Sequence, residues 1–121
     1  MDPLKVIFVE DSEDDLILML RALKKAGYEP CYTRVETHEG LREALSDKKW
    51  QLVISDHSMP AYSAPEALRT LQESNRSLPF IIVSGTIDDI FAASIIANGA
   101  NDYIDKANLS ALGPAIKRLL H

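Results

Sequence analysis

Apolar residues gather in short uninterrupted runs, and each run is followed by a stretch in which they recur every three or four positions. The first run, LKVIFV at 4–9, leads into Leu16, Met19, Leu20 and Leu23, spaced i, i+3, i+4 and i+7 on one helical face. Gly27 ends that helix as a C-cap. Residues 30–35 form a more polar run, suited to an edge strand, and Leu41, Ala44 and Leu45 mark a second helix. A third strand is expected at 50–55, followed by a helix with Pro65 at N1 and Leu68 and Leu71 on its inner face. The run PFIIVS at 79–84 is the fourth strand, and Ile87, Ile90 and Phe91 open the fourth helix. Residues 100–104 make a short fifth strand, and Leu109, Leu112, Ile116 and Leu119 supply the last helix.

Strands alternating with helices require crossover connections, which are right-handed and give a parallel sheet covered on both faces. Runs such as VIFV, LVIS and FIIVS are continuous rather than alternating, as doubly covered strands should be. The pattern therefore predicts an α/β chain of three layers with five strands.

Ligands of open parallel sheets bind beyond the carboxyl ends of the strands. The residues that end each apolar run are therefore the informative ones: Glu10 and Asp11 after the first, Asp56 after the third, Ser84-Gly85-Thr86 after the fourth, Asp105 and Lys106 after the fifth. Singly, each has an ordinary explanation. Acids favour a helix start, a serine caps or turns, and a lysine is usually a solvated charge. Together they put three carboxylates, a hydroxyl and an ammonium at one rim, and carboxylates so close repel one another. A hard divalent cation would offset that repulsion, and Mg²⁺ suits an all-oxygen ligand set. Zinc is disfavoured, because no Cys or His accompanies the acids. Lys106 would serve phosphoryl oxygens as a point charge.

Composition narrows the choice. The chain has 121 residues, 46% apolar and 26% charged, which bounds it most simply as one domain over residues 1–121. A net charge of -5 argues against direct nucleic-acid binding and gives an anionic membrane no purchase. The lone Cys31 makes no internal disulfide, and the first apolar run is too short for a signal peptide or a membrane span, so a cytoplasmic location is expected. A glycine-rich phosphate cradle is absent, and the acidic loop EDSEDD would repel a nucleotide phosphate. His57 reads as a surface or packing residue, and His38 as part of a turn before the second helix.

The segments VIFVEDSEDD, LVISDHSMP, FIIVSG and ANDYIDK, in this order and spacing, closely resemble the response-regulator receiver domain of two-component signalling over essentially the whole chain. The resemblance implies a flavodoxin-like, doubly wound (βα)5 fold with strand order 2-1-3-4-5. It implies that Asp56 is the phosphoacceptor, and that Mg²⁺ is held by Glu10, Asp11, Asp56 and the backbone carbonyl of Ser58. Ser84 and Lys106 would contact the phosphoryl group, Tyr103 would be the switch aromatic, and Ser58 and Thr86 would tune phosphoryl lifetime. A histidine kinase or phosphotransfer protein would be the donor, and a downstream output protein or domain would read the face made by the fourth helix, fifth strand and fifth helix. The chain departs from the family at Ala107, where proline usually follows the lysine, and at Ala64, where glycine is frequent. A cis bond before Ala107 would cost about 2.5–4 kcal/mol, so a trans bond is expected there.

Two other functions fit parts of the pattern. A phosphorylation-independent adaptor would use the same fold only for protein binding, but has no need of mutually repelling carboxylates. A phosphohydrolase with an aspartyl nucleophile would want a second acid two residues on, where Ser58 stands.

Overall fold

The structure, a computed structural model, describes residues 2–57, 59, 61–74, 77–85 and 88–120. The elements run β1 (Asp2–Val9), α1 (Glu13–Lys25), β2 (Tyr28–Val35), α2 (His38–Leu45), β3 (Leu52–Asp56), α3 (Ala64–Glu73), β4 (Phe80–Ser84), α4 (Asp89–Ala97), β5 (Asp102–Asp105), a 3-10 segment (Lys106–Ala111) and α5 (Leu112–Leu120). All four strand pairings are parallel, in the order β2-β1-β3-β4-β5. This is the flavodoxin-like arrangement.

The continuous apolar runs are explained by the two covered faces. Val6, Ile7, Phe8 and Val9 are all fully buried, but successive side chains point to opposite sides. Val6 and Phe8 join Leu16, Met19 and Leu23 of α1 and Ala115 and Ile116 of α5. Ile7 and Val9 join Leu41 of α2, Leu68 and Leu71 of α3 and Ile95 of α4. Burying each such side chain contributes roughly 1.5–3 kcal/mol, so neither face can be left bare.

Local signals set the helix ends. Ser12, Thr37, Ser63 and Asp88 are N-caps, each accepting a hydrogen bond from a backbone N–H of the first turn. Ser63 and Glu66 complete a reciprocal capping box. Pro65 stands at the second helical position rather than the first, since Ser63 is the cap. Gly27 lies one residue past the C-cap Ala26, with φ 95°, a left-handed geometry that glycine adopts without strain. Where α1 meets α5, a Cβ on Gly113 would overlap that of Ala26, so the two helices pack closer than any larger residue allows.

Several elements differ from the sequence reading. β3 starts at Leu52, leaving the buried Trp50 just before the strand with the Lys49 ammonium 4.7 Å from its ring centroid. Leu109 belongs to the 3-10 segment, not to α5. His38 is the first residue of α2, and its Nδ1 is 2.9 Å from Thr70 Oγ1. In α4, Ile95 is buried and Phe91 is partly covered, but Ile90 is 85% exposed. Ile87 lies outside the described residues. The described peptide bonds are all trans, the Lys106–Ala107 bond among them. Among the described residues, no helix is long and apolar enough to cross a membrane.

Candidate functional site

The site is built at the carboxyl rim of the three central strands. Parallel register brings their ends level: Val9 pairs with Ser55, and Asp56 with Val83. Glu10, one residue beyond β1, is completely buried, Asp56 at the end of β3 is 3% exposed, and Ser84 at the end of β4 is completely buried. Asp11 stands exposed beside Glu10. Carboxylate oxygens of Glu10, Asp11 and Asp56 all lie within 4.8 Å of one another.

A cation reaches into this group of carboxylates. Lys106 Nζ, from the end of β5, donates to Asp56 Oδ2 at 3.0 Å and to Asp15 Oδ2 at 2.7 Å. Burial by itself would lower the pKa of that ammonium. Hydrogen bonds to Asp15 and Asp56 outweigh burial and hold the pKa above its usual value. Lys106 is therefore firmly charged at neutral pH.

Glu10 carries the electrostatic cost of the arrangement. Its Oε2 accepts from the Ser12 N–H at 3.2 Å, whereas its buried Oε1 meets no donor among the described residues. Burial first, and then the neighbouring Asp56, push its pKa from 4.5 up to about 8. A buried acid with one oxygen left without a donor among the described residues, beside two other carboxylates, suits a hard cation. Glu10, Asp11 and Asp56 present the oxygen-only donor set that Mg²⁺ takes. Ser58 and Thr86 lie outside the described residues.

Tyr103 projects from β5 on the side of the sheet opposite α1 and is half-buried against that core. Its ring is 6.0 Å from Phe91, edge-on at 64°. Phe91 in turn stacks on His57 with centroids 3.9 Å apart and planes 22° from parallel. His57 is thus a packing residue, joining the end of β3 to α4. A groove of about 700 Å³ between α1 and α5, bordered by Leu18, Arg21, Tyr28, Pro114 and Lys117, contains none of the rim residues.

The rim thus brings together Glu10, Asp11, Asp56 and Lys106, with Ser84 ending the adjacent strand and Tyr103 on the next. The sequence reading missed Asp15, which entered it only as the last residue of the acidic loop EDSEDD. No local spacing marks it, because its partner Lys106 lies 91 positions away.

A family model for the response regulator receiver domain matches residues 6–117. The chain belongs to the response regulator receiver family. Among curated proteins, this receiver is 30% identical over 118 residues to the sensor kinase CckA of Brucella abortus, an alignment covering 95% of this chain and 12% of that kinase. It is 30% identical over 102 residues to the transcriptional regulatory protein YxdJ of Bacillus subtilis, covering 84% of this chain and 43% of the regulator. The chain thus spans less than half the length of either relative. Among solved structures, a response regulator receiver domain protein from Clostridium thermocellum superposes with a TM-score of 0.81 at 25% identity, covering 97% of this chain and 94% of that one. Receivers of this family take part in phosphoryl transfer from histidine kinases and generally bind Mg²⁺, for which the Glu10–Asp11–Asp56 cluster is a fitting site.

Proposed function

We propose that Asp56 is the phosphoacceptor of this receiver and takes the phosphoryl group of a phosphohistidine on a histidine kinase or phosphotransfer protein. The observation that carries the reading is that Asp56, almost wholly buried, has one oxygen 3.0 Å from the Lys106 ammonium and lies within 4.8 Å of two further carboxylates. In the transfer, an Asp56 oxygen forms a bond to phosphorus as the phosphorus–nitrogen bond of phosphohistidine breaks, giving an acyl phosphate and a free imidazole. Lys106 offsets charge on the transferring oxygens, and the fixed strand ends hold the groups in line. Mg²⁺, when bound by Glu10, Asp11 and Asp56, would supply further charge neutralisation.

The acyl phosphate adds negative charge and acceptor oxygens at the rim. Ser84 is the hydroxyl proposed to meet them, and Tyr103 is proposed to turn inward in response, altering the face made by α4, β5 and α5 that an output protein or domain reads. Ser58, through its backbone carbonyl, is proposed as a further metal ligand, and Ser58 and Thr86 as the side chains that tune phosphoryl lifetime. A cytoplasmic location is proposed to match such a donor.

Incubation with Mg²⁺ and acetyl phosphate, followed by intact mass measurement, tests this. A base-labile phosphoryl adduct is expected on the wild-type chain and none on Asp56→Asn. Absence of an adduct at every donor concentration would favour the phosphorylation-independent adaptor instead.

A further inference from the structure

Asp15 lies on the first turn of α1, 91 positions from Lys106, yet receives the shorter of the two ion pairs that lysine makes. Lysine is a compact charge on a flexible four-carbon stem and does not fix its own position. Here the side chain is about one-fifth exposed and its ammonium is hydrogen-bonded to two carboxylates, 2.7 Å from Asp15 Oδ2 and 3.0 Å from Asp56 Oδ2. The Asp15 carboxylate is itself only one-third exposed, and its backbone N–H donates to the Ser12 cap at 3.3 Å, so the turn that carries it is tied down.

We propose that Asp15 is a positioning residue, anchoring the Lys106 ammonium over Asp56 so that it meets an incoming phosphoryl group without first being ordered. This rests on the phosphoacceptor reading of Asp56. Asp15 acts through Lys106, to which it is hydrogen-bonded at 2.7 Å. Three donors on the ammonium allow one to stay on Asp15 while the others serve Asp56 and the phosphoryl oxygens. Anchoring moves an ordering cost from the reaction to the folding of the chain, which is how a positioning group raises a rate.

An acid in a first helical turn also favours the helix dipole, and Asp14 separates that contribution from anchoring. It shares the turn with Asp15, is exposed, and makes no ion pair with Lys106. The experiment compares wild type, Asp14→Asn, Asp15→Asn and Asp15→Glu. Two quantities are read: the rate of adduct formation with acetyl phosphate at saturating Mg²⁺, and the ¹⁵N-detected ammonium signal of Lys106. Asp15→Asn is expected to slow adduct formation roughly tenfold, the scale of one charge-assisted hydrogen bond. Asp14→Asn should stay within about twofold, and Asp15→Glu should recover part of the rate. The Lys106 signal should survive in wild type and Asp14→Asn and be lost to rapid water exchange in Asp15→Asn. An Asp15→Asn rate equal to wild type, or a Lys106 signal unchanged in that variant, overturns the proposal. A wild-type chain that forms no adduct defeats the phosphoacceptor reading instead, and the ammonium signal still decides whether Asp15 anchors Lys106.

Discussion

Glu10 shows how a single side chain sets the behaviour of the rim. Its folded-state pKa of about 8 stands above its ordinary 4.5, so between those values the folded chain holds a proton that the unfolded chain has released. Its contribution to metal-free stability is fully present below the ordinary value and is lost as pH rises through about 8. Urea midpoints measured without Mg²⁺ at about pH 5 and about pH 9 should show wild type losing more stability than Glu10→Gln, which carries no such proton. A parallel loss in both chains would contradict the assignment. Mg²⁺ has the opposite pH dependence, because the cation displaces that proton: its affinity should climb from about pH 6 to about pH 8, with proton release visible as buffer-dependent binding heat. At this scale the sequence was only partly legible. Glu10, Asp11, Asp56, Ser84 and Lys106 could be found because each directly follows or ends an apolar run. Asp15 follows no strand, and its partner is fixed only when β5 is laid beside α1's first turn.

Among the elements, β1, β3 and β4 were the most legible, since each carries at least three consecutive apolar residues buried on both faces. α4 was the least. Its sequence, DIFAASIIA, is apolar on nearly every side, so no stripe tells which residues face inward; the sheet buries Ile95 and leaves Ile90 to solvent. Besides the buried Ile95, the His57–Phe91–Tyr103 series of rings ties α4 to the sheet, which the spacing of these residues could not reveal. A double-mutant cycle on His57→Ala and Phe91→Ala should give a coupling of about 0.5–1.5 kcal/mol, the range for an aromatic pair beyond simple burial. Strict additivity would mean the stacking contributes nothing. For α3, Ser63→Ala removes the capping box and should cost about 1 kcal/mol, read by urea denaturation.

For the molecule as a whole, two helical layers must close on one sheet, and within the layer made by α1 and α5 a Cβ on Gly113 would overlap that of Ala26. Alanine at 113 would gain about 1 kcal/mol of helix propensity. Overpacking of this kind costs typically 1–3 kcal/mol, and here the obstructing atom is a Cβ that cannot swing away. Gly113→Ala should therefore lower stability, by up to a net ~2 kcal/mol. A more stable variant would show that α1 and α5 can separate freely.

The setting of Trp50 bears on how such measurements are read. This tryptophan, alone in the sequence, is buried ahead of β3, while Asp56 closes the strand six residues later, about 20 Å away along an extended chain. Its emission is therefore a private channel for unfolding: ions or phosphate arriving at the opposite rim should leave the spectrum dark to the event, while loss of the native core shifts it. A silent tryptophan in a ligand titration consequently says nothing against binding, and the rim needs a reporter of its own.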